Sequence, residues 1–305
     1  MALQSSGQIK ISEIKTELGS SSNSLNTLSV AAGKTAPHAM SEFYGYTHSS
    51  FSNDYALDFD GVNDYVLFTP NAPRDFPNDT MTLSFWVRVD QSTKSNMIFY
   101  CTTHEDATAS QGRLIIFYHS NFNRIIAQYF ITSGGNKVYQ RQFALHDNSG
   151  TTGITNSGTG WTSSQRGNTD SDGYTHIAVA LDRTRSSATD GVKVYWNGTA
   201  LTSAAVTSNT MTTSHTFDPN FGAIGEGTHA ASKPSAAIHD GVLDEMYLYD
   251  AQLSSSNIST IYGYGRNSEN TFTTNYTTAW RFENSVDDEE GLTDTTNNGA
   301  TFISL

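Results

Sequence analysis

The sequence predicts an all-β fold, a sandwich or a barrel, preceded by a short, partly helical N-terminal arm. From Phe51 onward apolar residues recur with a period of two, in roughly a dozen short runs separated by polar turns. Only 15% of the 305 residues are charged, while Ser, Thr, Asn and Gly abound, a composition that suits short turns and disfavours long helices. A hydrophobic content of 36% is ample for one sandwich core at this length. The length admits one large β domain with an extra segment, or two medium domains.

Residues 1–50 differ in character from the rest. Ile11, Ile14 and Leu18 stand at i, i+3 and i+7, which predicts a short helix with Ser12 as candidate N-cap and Gly19 as stop. A Ser/Asn-rich stretch follows from Ser20 to Asn26. A second helical turn, with Phe43 and Tyr44, ends at Gly45. Two helices this short cannot close a core alone. The expectation is an arm (1–50) that orders only against a partner or its own sandwich, or else a disordered tail, followed by a β domain (51–305).

The strands come in order. Ala56 to Val66 alternates around an Asp60-Gly61 turn. Met81 to Val89 places Leu83, Phe85, Val87 and Val89 on one face, and Thr82, Ser84, Trp86 and Arg88 on the other. Met97 to Thr102 is a further strand. Leu114–Tyr118 and Arg124–Tyr129 flank a hairpin loop, and Val138–Leu145 is another candidate. The stretch from His146 to Asp172 is Gly-rich and polar, an extended loop carrying Trp161. Ile177, Val179 and Leu181 alternate inward. Val192–Trp196 then runs into Asn197-Gly198, a strong hairpin signal. Phe221–Ile224 and Gly241–Tyr249 follow, then a helix from Ser254 to Tyr262 stopped at Gly263.

Charge and cysteine usage exclude several classes. A formal net charge of −13, with no Lys/Arg cluster, repels polyanions and argues against nucleic acid. The single cysteine, Cys101, permits no intrachain disulfide and reads as a small buried side chain, so folding is expected in a reducing cytoplasm. No signal peptide is evident at the N-terminus, and no run of about eighteen apolar residues suggests a membrane span.

Four motifs resemble the laminin-G-like (concanavalin-A-like) jelly-roll family, in family order. They are Leu57 to Val66, Thr82 to Val87, His176–Val179 with Val192–Gly198, and Gly241–Tyr249 with Leu253-Ser254. The resemblance implies a two-sheet antiparallel jelly-roll sandwich that binds rather than cuts. One departure is that Ala279–Asn284 and Asn297–Phe302, which resemble segments usually preceding the first strand, come last. This predicts a circular permutation in which a C-terminal strand near 276–283 closes the sheet edge.

Ser6–Ile14, Glu17–Gly19 and Met40–Gly45 resemble an N-terminal module of virion proteins in tailed bacteriophages. That resemblance implies a virion protein made in the host cytoplasm, docked on other virion subunits through Ile11, Ile14, Leu18, Phe43 and Tyr44, and present as a homo-oligomer. Host-surface glycans are a candidate ligand. The alternatives are a free-standing carbohydrate-binding module and, third, a glycoside hydrolase.

Asp60, Asn63 and Asp64 crowd oxygen ligands into one turn, and alternation places Asp244 inward with Val242, Met246 and Leu248. A buried carboxylate needs a partner. Either a calcium ion bridging the two strand ends, through Asp60, Asn63, Asp64 and Asp244, or backbone N–H groups or an arginine would supply it. Alternation also sends Asp244 and Glu245 to opposite faces, so they are not expected to act as a glycosidase pair, and no enzyme activity is expected. His104-Glu105-Asp106 reads as a solvated turn. Trp161, Tyr139 and Phe122, on rim loops, are the candidate sugar-stacking residues. Trp86, Trp196 and Trp280 are expected to pack in the core or on a sheet face.

Overall fold

The structure is a computed structural model that describes residues 3–18, 20–32, 34, 36–46, 53–70, 79–90, 96–102, 111–119, 124–133, 136–137, 141–144, 172–201, 203–206, 221–226, 238–268, 270, 276–289, 291 and 293–305. The chain divides into two units, residues 1–52 and residues 53–305.

The first unit contains α1 (Ile11–Glu17), α2 (Leu25–Ala31) and a 3-10 turn (Met40–Phe43). Lys10 rather than Ser12 is the N-cap of α1, and the Glu13 carboxylate accepts its backbone N–H at 2.8 Å. Helix α2 begins at the end of the Ser20–Asn26 stretch, in residues for which the sequence predicts no element, and Ser24 Oγ opens it by accepting from Thr27 N–H at 3.4 Å. None of these pieces is long enough to persist alone. Together they bury Ile9, Ile14, Leu28 and Phe43, with Ile11, Leu18, Leu25 and Met40 packed alongside. An arm without a core of its own is therefore corrected. Ile14 and Phe43, expected as docking contacts, instead fill a small core because α2 contributes Leu28 to it. Tyr44 is 44% exposed, and its hydroxyl donates to the Gly7 carbonyl at 2.5 Å.

The second unit is a sandwich of two antiparallel sheets. The first sheet has the order β11 (Thr199–Ala200), β10 (Val192–Trp196), β9 (Thr175–Asp182), β3 (Thr80–Val89), β14 (Asp240–Tyr249), β1 (Tyr55–Asp60) and β17 (Thr301–Ser304). Strand β15 (Tyr276–Trp280) also pairs with β14. The second sheet has the order β12 (Ser203–Val206), β8 (Arg141–Ala144), β6 (Arg124–Ser133), β5 (Gln111–His119), β4 (Asn96–Thr102), β13 (Phe221–Ile224), β2 (Tyr65–Pro70) and β16 (Thr293–Asn298), with β7 (Asn136–Lys137) on β6.

Long β14 has room for two partners on one side. Residues 240–243 pair with β1 and residues 246–249 with β15. Residues 276–280 form a strand in line with β1, on the stretch of β14 that β1 leaves open, and among the described residues that strand pairs with β14 alone. The outer edges are taken by β17, on β1, and by β16, on β2. These two strands are joined through Gly299, so one terminal hairpin covers the edge of both sheets. The Asn197-Gly198 turn joins β10 to β11 with positive φ at both residues (46° and 76°), as a two-residue hairpin requires.

Inward faces interleave as alternation predicts. Leu83, Phe85, Val87, Val89, Ile177, Val179 and Leu181 meet Ile98, Cys101, Leu114 and Ile116 of the other sheet. Trp280 is fully buried among them, 5.2 Å from Phe68, and Trp196 joins the same core. Burial pushes the Cys101 thiol well above its ordinary pKa, which makes it inert. Helix α3 (Ala188–Gly191) precedes β10. Helix α4 (Ser255–Tyr264) lies over the outer face of the first sheet. Its N-cap is the expected Ser254, whose Oγ accepts from Asn257 N–H at 3.2 Å. It runs through Gly263 and stops at Gly265 (φ 77°).

Candidate functional site

The outer face of the first sheet accommodates α4 because β9 carries small residues there. Ala178 and Ala180, with Tyr195 and Tyr249, receive Leu253, Ile258 and Ile261. Thr82 fixes the helix entry, its hydroxyl donating to Ala251 C=O at 2.6 Å and accepting from Leu253 N–H at 2.9 Å. Beyond this apolar patch the same face becomes polar, and the cause is one feature of β14.

Asp244 is opposite Trp86 and Tyr247 is opposite Ser84, so Glu245 and Met246 together face the single residue Phe85. This is a β-bulge, with Glu245 in the left-handed region (φ 46°). A side chain there costs roughly 1 kcal/mol more than glycine would. The extra residue resets the alternation. Leu243, Met246 and Leu248 enter the inter-sheet core, whereas Val242, Tyr247 and Tyr249 pack on the outer face. Asp244 and Glu245 both join that outer face. The expectations that Asp244 shares a face with Met246 and Leu248, and that Asp244 and Glu245 diverge, are both corrected by the bulge.

Each carboxylate has its own arginine. Arg266 donates to Asp244 at 3.1 Å and to Asp172 at 2.5 Å, and its guanidinium sits 4.2 Å over the Tyr174 ring. Asn53 Nδ2 donates to Asp244 at 2.9 Å, and the backbone N–H of Glu245 does so at the same distance. Arg281 donates to Glu245 at 3.0 Å, and the Tyr247 hydroxyl donates to the other Glu245 oxygen. Burial pushes Asp244 up to about 7 and Glu245 up to about 8, in each case against the pull of its arginine.

Beside Glu245, Ser84 Oγ and His176 Nε2 share a buried hydrogen bond of 2.8 Å. The His176 ring meets Trp86 edge-on at 5.2 Å, and burial lowers its pKa to about 3, so the imidazole is neutral. Its Nδ1 is buried without a hydrogen-bond partner. Ser84, Trp86, His176, Glu245 and Tyr247 form the floor of a small cleft. Tyr264, Ser268 and Asn270, from the end of α4 and the chain beyond it, form its rim. It has room for one water molecule at most.

The structure does not assemble the four-residue calcium site. Asp60 is opposite Asp240 in the β1–β14 register, so Asp244 lies four residues further along, about 13 Å away. Asp60 Oδ1 accepts from the N–H of Val62 (2.8 Å) and Asn63 (3.4 Å), and Asp64 Oδ2 accepts from Asp60 N–H at 2.9 Å. These oxygens hold the turn, and among the described residues no three His, Cys, Asp or Glu side chains are placed to hold a metal ion. The residues present do not fit calcium. An arginine and backbone N–H take its place at Asp244, the other option the sequence left open. Trp161, Tyr139 and Phe122, and the His104-Glu105-Asp106 turn, lie outside the described residues. Among the described residues no helix is long and apolar enough to cross a membrane.

Sequence reading missed His176, Arg266 and Arg281 as site residues. Arg266 lies in the segment after α4, and Arg281 lies at the end of the expected strand near 276–283, but the meeting of each with its carboxylate depends on contacts distant in the chain. Ser84 and His176 are each visible as outward-facing strand positions, but their adjacency depends on the β3–β9 register.

No curated protein matches the chain in sequence. A candidate carbohydrate-binding protein from Bacteroides ovatus superposes with a TM-score of 0.51 at 14% identity, over 84% of this chain and 61% of that one. The chain thus aligns with under two thirds of that protein's length, and at this identity the likeness speaks to fold alone. Looser likenesses are a heptameric SAP-like pentraxin from Limulus polyphemus (TM-score 0.48, 11% identity, 83% of this chain and 94% of that one) and the IT-sialidase CBM40 of Ruminococcus gnavus (TM-score 0.43, 10% identity, 70% and 100%). Residues 60–259, well over half of the chain and spanning the bulged strand, match a laminin-G-type domain, and the chain belongs to the concanavalin A-like lectin/glucanases superfamily.

Proposed function

We propose that the chain is a non-catalytic carbohydrate-binding protein. One observation carries the choice within a family of lectins and glucanases. A glycosidase needs two carboxyl groups flanking a bound sugar. The adjacent pair Asp244 and Glu245 is 0% and 3% exposed, beneath α4 and its following segment, and each member is held by an arginine. Such a pair holds the sheet to its cover and cannot reach a glycosidic bond. The description of the Bacteroides ovatus neighbour as a candidate carbohydrate binder is in keeping with this reading.

Trp161, Tyr139 and Phe122 are the proposed sugar contacts. The full chain, labelled and applied to a glycan array, is expected to retain a defined set of glycans without releasing reducing ends. Trp161→Ala should weaken calorimetric affinity about tenfold, roughly the worth of one aromatic stack. Glycan turnover that Glu245→Ala abolishes would replace this reading with a hydrolase.

A narrower reading makes the chain a phage virion component displayed in several copies. It is favoured by the resemblance of residues 6–45 to a virion module and by charge. Three lysines and three glutamates leave residues 1–52 neutral, so the whole net charge of −13 lies in residues 53–305. A neutral attachment unit with mutually repelling sandwiches suits multicopy display. Removing residues 1–52 should then abolish incorporation into particles, measured by mass spectrometry of purified virions, while glycan binding persists.

A further inference from the structure

We propose that Asn298 is a modification site, where spontaneous deamidation through a cyclic imide loosens the terminal hairpin of β16 and β17. This reaction is fastest where glycine follows asparagine, since no Cβ then obstructs ring closure. The sequence contains two such pairs, Asn197-Gly198 and Asn298-Gly299. The fold protects the first and leaves the second open.

Asn197 is pinned. Its Oδ1 accepts from His176 N–H at 2.9 Å, and its own N–H donates to His176 C=O at 2.9 Å. Gly198 is half-buried against α4, where a Cβ would lie 3.1 Å from the Tyr262 ring and 3.3 Å from the Ser259 backbone. The side-chain amide and the following nitrogen therefore cannot swing together without displacing the helix. At the second pair Gly299 is exposed, and among the described residues its N–H has no acceptor. The Asn298 amide donates only to the Thr296 carbonyl, at 3.2 Å and in contact with solvent. An unpaired N–H in water can lose its proton to hydroxide, and an exposed turn can rotate to bring that nitrogen onto the side-chain carbonyl carbon.

The deprotonated Gly299 nitrogen attacks Cγ of Asn298. The new C–N bond forms, the bond to Nδ2 breaks, and Nδ2 leaves as ammonia. Water then opens the imide at either carbonyl and gives aspartate or isoaspartate. Both products disturb the hairpin. Asn298 pairs with Tyr65, the residue after Asp64, and Gly299 lies so close to Asp64 that a Cβ there would overlap its Oδ1. The new carboxylate thus adds a second negative charge beside the first. Isoaspartate also inserts a methylene into the main chain, inside the loop that Asn297 closes by donating to Ala300 C=O at 2.9 Å. That connector joins β16 in one sheet to β17 in the other, so loosening it weakens the edges of both.

The test is incubation of the full chain at mildly alkaline pH, with peptide mapping by mass spectrometry at intervals. Asn298 is expected to exchange NH2 for OH about tenfold faster than Asn197, which corresponds to about 1.4 kcal/mol of barrier. Equal rates, or faster reaction at Asn197, would overturn the assignment. In the aged chain amide hydrogen exchange across β16 and β17 should rise, while exchange in β3 and β9 stays as it was. Asn298→Gln, whose longer side chain closes the imide far more slowly, should abolish that rise. A rise that persists in this variant would put its cause elsewhere, and unchanged exchange in a chain modified at Asn298 would overturn the loosening. Should the variant not fold, the modified and unmodified fractions of the unaltered chain, separated by ion exchange on their difference in charge, give the same comparison.

Discussion

The two faces of β14 are built on opposite principles. Its inner face sends Leu243, Met246 and Leu248 into a core shared with Phe59, Phe68 and Trp280. Its outer face holds Asp244 and Glu245 among Arg266, Arg281, Tyr247 and the neutral His176. The inner face is held by apolar area and close packing, which are non-directional and depend on volume. The outer face is held by specific pairs. Removing one member leaves its partner charged and without water. The first face keeps the sandwich closed, and the second attaches α4 and the chain beyond it and shapes the cleft.

The largest expected effect tests the inner face. Trp280→Ala empties the centre of the core and should cost about 3–5 kcal/mol, read from urea unfolding with an unchanged m-value. A loss below about 1 kcal/mol would mean that β15 is not integral to the core.

Next comes the outer face. Arg266→Ala strands the Asp244 carboxylate and removes the tie to Asp172 and the stacking on Tyr174. The expected loss is about 2–4 kcal/mol. Pairing this change with Asp244→Asn should recover part of it, because the orphaned charge is then gone. Equal losses in the single and double variants would show that the ion pair is not what holds the segment.

The smallest effect separates the faces by pH. The carboxyls of Asp244 and Glu245 titrate near 7 and 8 in the folded chain, above their ordinary range, so the folded state holds extra protons there and stability falls as pH rises through that window. His176 and His239 are depressed by burial, to about 3 and about 4. The unfolded chain therefore binds extra protons at the histidines below about 6.5, a contribution that lowers stability as pH drops and opposes that of the two carboxyls there. As pH rises from 6.5 toward 8 the unfolded histidines lose their remaining charge, and the two carboxyls increasingly set the slope. Tm should fall by about 2–4 °C over that interval, and Glu245→Gln should flatten the fall. A Tm that rises from pH 6.5 to 8 would contradict the assignment.

The inner face was legible in the sequence because alternation is a local property. Leu83, Phe85, Val87, Ile177, Val179 and Leu181 all lie where a period of two places them. Each motif of the sandwich resemblance falls on a strand of the two sheets. The outer face was not legible. Alternation counted through Glu245 inverts every assignment on one side of the bulge, and nothing in Gly241–Tyr249 marks the extra residue. Nor did composition reveal the core of residues 1–52, since α2 begins in a Ser/Asn-rich stretch and gains its stability from Ile14 and Phe43 rather than from its own propensity.

The sequence by itself determined the β architecture, the inward residues, the Asn197-Gly198 hairpin and the helix after β14, because each depends on neighbours a few residues apart. Tertiary structure alone decided which carboxylate meets which arginine, that Ser84 lies against His176, and that one terminal hairpin covers two sheet edges. Those outcomes depend on strand register and on contacts between segments distant in the chain. A shift of one residue in register moves every side chain to the other face, and local periodicity carries no record of it.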